Sequence, residues 1–140
     1  MTIREITDGI LAGLYEEFGD GYTLYDQTVE QDLREPAFFV QCLTSSRELK
    51  LSRIYDKSVS FAVQYFPKAQ NDVIECAAVS ERLYDALEDI KASGRTIHAQ
   101  NMESTFSDGI VTFTVTYTAT ILKEEATDTM DDYTETVSIQ

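Results

Sequence analysis

Residues 110–121 read IVTFTVTYTATI, an alternation of apolar and hydroxyl side chains with almost no fault. Successive side chains of a strand point to opposite faces. Val111, Phe113, Val115, Tyr117, Ala119 and Ile121 therefore line one side, and the threonines at even positions from Thr112 to Thr120 line the other. The run predicts a strand with one dry face. Immediately before it, Asp108-Gly109 separates this strand from Met102–Phe106 and gives a strong two-residue hairpin signal. A hairpin closed there sets Phe106 opposite Val111, Ser104 opposite Phe113, Met102 opposite Val115 and His98 opposite Ala119.

Further strands precede this hairpin. Within residues 49–66, Val59, Phe61, Val63 and Tyr65 alternate with Ser58, Ser60, Ala62 and Gln64, a second one-sided strand that Pro67 ends. Residues 37–43, after Pro36, are apolar on both faces and predict a strand covered in part on both sides. A polar connection around Thr44 to Ser46 is expected to follow, and Tyr22, Leu24 and Val29 mark a short extended segment earlier on.

Two helices complete the pattern. Thr2 and Glu5 have the spacing of a capping box, and Ile3, Ile6, Ile10, Leu14 and Phe18, with Leu11 beside them, recur at helical steps. Helix one is expected over residues 3–18, ended by Gly19 and Gly21. Asp72 and Glu75 are placed to cap a second helix with apolar positions Ile74, Ala77, Leu83, Tyr84, Leu87 and Ile90, closed by Gly94. The expected fold is α+β: an antiparallel sheet of about four or five strands, with both helices packed on its apolar face and a Thr- and Ser-rich face opposite. Residues 1–122 form that single domain. Residues 123–140 form an acidic C-terminal tail, in which Tyr133, Val137 and Ile139 have the spacing of one last edge strand.

Composition excludes some partners. The 140 residues are enough to bury a core without disulfide or metal staples, and 25 acidic against 11 basic side chains give a net charge of -14. Such a surface repels phosphate backbones and anionic membranes, so direct capture of nucleic acid is not expected. No targeting segment or stretch long enough to cross a bilayer is visible, which suits a cytoplasmic site of synthesis. Cys42 and Cys76 lack CxxC spacing and read as small buried hydrophobes rather than a disulfide.

No reaction centre is legible. His98 is the sole histidine, and nucleophile elbow, HExxH, phosphate-cradling and calcium-loop patterns are all absent. Asp128, Asp131 and Asp132 have oxygen ligands suited to a hard cation, but their spacing is that of a solvated acidic loop. Phe38, Phe39, Tyr55, Phe61, Tyr65 and Phe66 read as core at strand spacing, with an interface role open to some. No cofactor is expected. One charge pattern stands against the acidic background: Arg47, Lys50, Arg53 and Lys57 place four of the eleven basic residues within eleven positions. The plain reading is a solubilised hairpin. The functional reading is an arm that meets an acidic surface on another copy, such as the Asp85, Glu88 and Asp89 side of helix two.

The order of segments carries a resemblance. EPAFFV at residues 35–40 is followed by Arg53 to Tyr55, then Tyr65-Phe66-Pro67, ERLYDAL at 81–87, Gly94-Arg95, Asn101-Met102 and Asp108-Gly109. From helix one to Leu122, this resembles a phage tail terminator family of tailed phages and prophages of Gram-positive bacteria. The resemblance implies a structural, non-enzymatic virion subunit that forms a hexameric ring at the head-proximal end of the tail tube. Such a ring stops tube polymerisation and offers a surface for head joining. The partners implied are further copies of itself, the tail tube protein and a head-tail connector protein, with DNA passing through unbound. Another head-tail connector or tail-completion protein is the nearest alternative. An acidic DNA mimic that inhibits a host protein is a more distant one.

Overall fold

The computed structural model describes residues 2–26, 35–68 and 73–122. Helix α1 (Ile3–Phe18) begins at a reciprocal cap: the Thr2 hydroxyl accepts from the Glu5 amide at 3.1 Å, and the Glu5 carboxylate accepts from the Thr2 amide at 2.7 Å. Two otherwise orphaned amides are thereby satisfied. A 3-10 turn (Gly19–Gly21) leads to β1 (Thr23–Tyr25), β2 (Ala37–Leu51) and β3 (Ile54–Phe66). Helix α2 (Val73–Leu87), β4 (Asp89–Ala92), β5 (Arg95–Ser107) and β6 (Ile110–Leu122) follow. The strands form one sheet in the order β1-β2-β3-β6-β5-β4, antiparallel throughout except for the parallel β1–β2 pair. Helix α1 touches both β2 and β4, from opposite halves of that order, so the sheet curls around it.

The core is the inner face of the curl. Val111, Phe113, Val115 and Tyr117 of β6 lie beside Val59, Phe61, Val63 and Tyr65 of β3, and all are buried. Ile6, Ile10, Leu14 and Phe18 from α1 close over them with Val79, Leu83 and Leu87 from α2. Phe18, Phe38 and Tyr65 stack in sequence, with ring centroids 4.7 and 5.0 Å apart. Arg82 ties the helices together, donating to the Glu17 carbonyl at 2.7 Å while its guanidinium lies 4.3 Å from the Phe18 ring centroid. The outer face is polar as expected, with Ser60 and Thr116 hydroxyls bonded at 2.8 Å.

Four sequence expectations need correction. First, the sheet has six strands and is mixed, because the segment around Leu24 pairs in parallel with Ala37–Phe39 and residues 89–92 form a strand of their own. Second, Thr44 to Ser46 is no connection. Strand β2 continues through it to Leu51, because β3 between Tyr55 and Ser60 presents backbone groups that Thr44–Leu49 satisfy in register. Third, α2 stops at Leu87, so Ile90 is a strand residue and Gly94 sits in the β4–β5 turn. The helix also turns a neighbouring stripe inward: Cys76, Val79, Ser80, Leu83 and Leu87 are buried, while Ile74 is 84% exposed. A bond of 2.7 Å from Ser80 to Ser104 on β5 accommodates the polar member of that stripe. Fourth, the β5–β6 register follows expectation from Phe106 to Met102 and then slips at a bulge between Ala99 and Asn101. Ala99 pairs with Tyr117, and His98 leaves β6 to pair with Asp89 on β4.

The Asp108-Gly109 turn has φ of 55° and 75°, the doubly positive geometry that the dipeptide favours. Asp72 and Val29 lie outside the described residues, as does the C-terminal tail. Cys42 and Cys76 are not joined in a disulfide.

Two packing details have measurable consequences. A Cβ on Gly9 would stand 2.4 Å from the Lys91 carbonyl oxygen, where α1 crosses β4 backbone to backbone. Gly9→Ala is expected to destabilise the fold by about 2–3 kcal/mol in urea denaturation. Gly21→Ala, where a Cβ meets nothing within 4 Å, serves as the near-neutral control. The buried Tyr117 hydroxyl donates to the Leu87 carbonyl at 2.6 Å, satisfying an orphan at the end of α2. Burial, with Asp89 adding to it, raises the Tyr117 pKa above its ordinary value. The unfolded phenol ionises near pH ~10 while the folded one stays protonated, so stability is lost as pH rises past that point. Tyr117→Phe should cost about 1–2 kcal/mol at neutral pH and reduce the alkaline loss, read from denaturation midpoints at pH 8 to ~11.

Candidate assembly surface

The basic cluster is built by a hairpin that outruns its helices. From Leu43 onward every residue of β2 is exposed, whereas the same strand's Phe38 and Val40 are buried. Arg47 lies directly opposite Lys57, and Lys57 in turn opposite Ala119. Lys50 occupies the bulge between Leu49 and Leu51, with its ammonium 3.6 Å from both Glu48 and Asp56. Arg53 follows Ser52, whose φ is 52°, in the turn that joins the two strands. All four predicted cations thus belong to one arm.

The predicted acidic side is separate. Asp85 is exposed near the end of α2, Glu88 and Asp89 are exposed at the start of β4, and Asp89 bonds to His98 Nδ1. The sheet places β4 at one edge and the β2–β3 arm near the other, with β6 and β5 between them. The cationic and anionic residues therefore belong to different parts of the strand order. His98 is an exposed partner of Asp89, not a residue packed against β6.

Sequence reasoning missed the apolar part of the arm. Leu49 and Leu51 are 54% and 69% exposed, and Leu122, where β6 ends opposite Ile54, is 63% exposed. Ala119 and Ile121 belong to the dry face by alternation but are only half-buried, because that end of the sheet lies beyond the core. The aromatic set divides: Phe38, Phe61 and Tyr65 are core, while Phe39, Tyr55 and Phe66 are half-buried. The Tyr65 hydroxyl donates to Glu75. Among the described residues, no three His, Cys, Asp or Glu side chains gather as a metal group, and Asp128, Asp131 and Asp132 lie outside them.

The described residues form an α+β fold with an exposed basic and apolar arm. Residues 5–129 match the phage tail terminator protein family. The chain belongs to that family. A solved structure described as the sheath/tube terminator of an extracellular contractile injection system, PVC, in its extended state aligns with 99% of this chain at a TM-score of 0.55 and 14% identity. This chain spans 66% of that one, and the likeness establishes a shared fold. A second solved chain aligns over 89% of this chain and 98% of its own at a TM-score of 0.43 and 11% identity, too distant to add to the argument. No curated protein matches the sequence. A tail terminator is a structural component of tail assembly.

Lys57 reports on the arm's electrostatics. Partial burial and then the facing Arg47 lower its pKa, against an opposing pull from Glu5. Arg47→Gln removes the like charge and is expected to raise the Lys57 pKa, measured by NMR titration of its side-chain carbons. An unchanged value would mean that Arg47 is held away from Lys57 in solution.

Proposed function

We propose that this tail terminator forms a homo-hexameric ring at the head-proximal end of the tail tube, stops its polymerisation and presents the surface on which the head connector docks. The observation that carries the ring is the placement of unlike surfaces near opposite edges of one sheet. Contact between two different patches is head-to-tail, and such contacts generate closed rings when the rotation closes. The Arg47, Lys50, Arg53 and Lys57 arm of one subunit meets the Asp85, Glu88 and Asp89 face of the next. Opposite potentials fix register and suppress the reverse approach. The ring sits in the virion tail after assembly in the host cytoplasm. DNA passes through it without being held, since a chain of net charge -14 offers few cations to phosphate.

Electron microscopy of lysates with and without the gene tests the role. Over-length tails and unattached heads in the deletion are expected; normal-length tails that fail to join would instead indicate a completion protein. Intact virions would remove the morphogenetic role and favour an inhibitor of a host nucleic-acid-binding protein. For the pairing, Lys50→Glu with Arg53→Glu should lower the yield of terminated tails about tenfold, with partial recovery when Asp85→Lys and Glu88→Lys are added. Undiminished yield in the arm variant would overturn the pairing.

A further inference from the structure

The two faces of the arm carry different chemistry. Val59 belongs to the core, and alternation along β3 puts Lys57 and Tyr55 on the same inner face. The register sets Arg47 and Leu49 of β2 opposite these two, with Ala119 and Ile121 of β6 on their other side. The outer face has Glu48 opposite Asp56 and the Lys50 ammonium 3.6 Å from both, so its charges answer one another within the arm. Glu5 of α1 acts on Lys57, whereas Arg47 is exposed and has no ion-pair partner among the described residues. The inner face is thus basic at the level of Arg47 and Lys57, and apolar at Leu49, Tyr55 and Ile121 one step nearer the tip.

Helix α2 turns a matching stripe outward. Cys76, Val79, Ser80, Leu83 and Leu87 are buried on one side, while Ile74, Ala77, Ala78, Glu81, Asp85 and Glu88 are exposed on the other. The stripe is apolar where the helix starts and acidic toward its end. Its carboxylates take part in no ion pair among the described residues.

We infer that the inner face of the arm of one subunit lies along this stripe of the next copy, with the tip of the arm toward Ile74. The contact is the junction of the ring proposed above and rests on that reading. The spacings agree: two strand residues advance roughly 6.6 Å, and four to five helix residues advance roughly 6–7.5 Å. Arg47 and Lys57 set between Glu81 and Asp85 therefore bring Leu49 and Tyr55 over Ala78, whose small side chain leaves them room, and Leu51 level with Ile74. The opposite direction would set Leu49 over the Glu88 carboxylate and leave Ile74 bare. In the inferred one, the neighbour's α2 supplies the helix that this end of the inner face lacks, since the subunit's own α2 packs on β4, β5 and β6.

Disulfide trapping on purified tails tests it. Leu49 and Ala78 are both exposed, so cysteine at either position spares the fold. Subunits carrying Leu49→Cys together with Ala78→Cys, oxidised with copper-phenanthroline, should give a ladder of covalent multimers in a yield at least about tenfold above either single variant. The single variants retain Cys42 and Cys76 and so report any linkage through those thiols. Tails assembled from a mixture of the two single variants should stop at dimers, because each subunit then carries one of the two new thiols. Arg47→Glu should lower the yield of terminated tails about tenfold, with partial recovery when Glu81→Arg is added. Tails of normal length that give no ladder with the double variant would overturn this junction and leave the terminator role standing. Linkage among Leu49→Cys subunits alone would also overturn it, because arm would then meet arm. Intact virions from the deletion strain would overturn the ring reading and this junction with it.

Discussion

The dry face of β6 is the constraint on which the rest of the structure depends. Val111, Phe113, Val115 and Tyr117 are each at most 1% exposed, and burial of each such side chain is worth roughly 1.5–3 kcal/mol before entropy is counted. Strands β3 and β5 pair with its two edges, and α2 is fastened to its far end by the Tyr117 hydroxyl. Displacing β6 by one residue would turn this whole set outward and the threonines inward.

The arm follows from a mismatch of lengths. A 16-residue helix is about 24 Å long, whereas strands of 13 to 15 residues extend roughly 43–50 Å. Two helices therefore cannot cover the sheet from end to end. What they cover becomes core, and what they leave becomes an exposed double strand with leucines and cations on it.

Charge gives the arm its direction. Against an acidic background, four cations on one hairpin form a local island of opposite potential. Arg47 and Lys57 face each other as like charges, and the Lys57 pKa is lowered first by burial and then by that charge. The polar outer face has no such bias toward adhesion, since its Ser and Thr hydroxyls bond across strands, as Ser60 does to Thr116.

The sequence by itself determined the elements whose signals are local. The capping box at Thr2 and Glu5, the alternation of β3 and β6 and the Asp108-Gly109 turn each act over a few residues, and each is present in the structure. The clustering of Arg47 to Lys57 was legible for the same reason, as was the resemblance to tail terminators. Tertiary structure alone decided the rest. Thr44 to Ser46 became strand because β3 needed backbone partners, and Ile74 lost its place in the core because Cys76 and Ser80 face β5 and β6 instead. His98 changed partners at a bulge, and Leu49, Leu51 and Leu122 were left bare by helices too short to reach them. Periodicity records that a segment has an apolar face; only the packed sheet determines which part of that face another element covers.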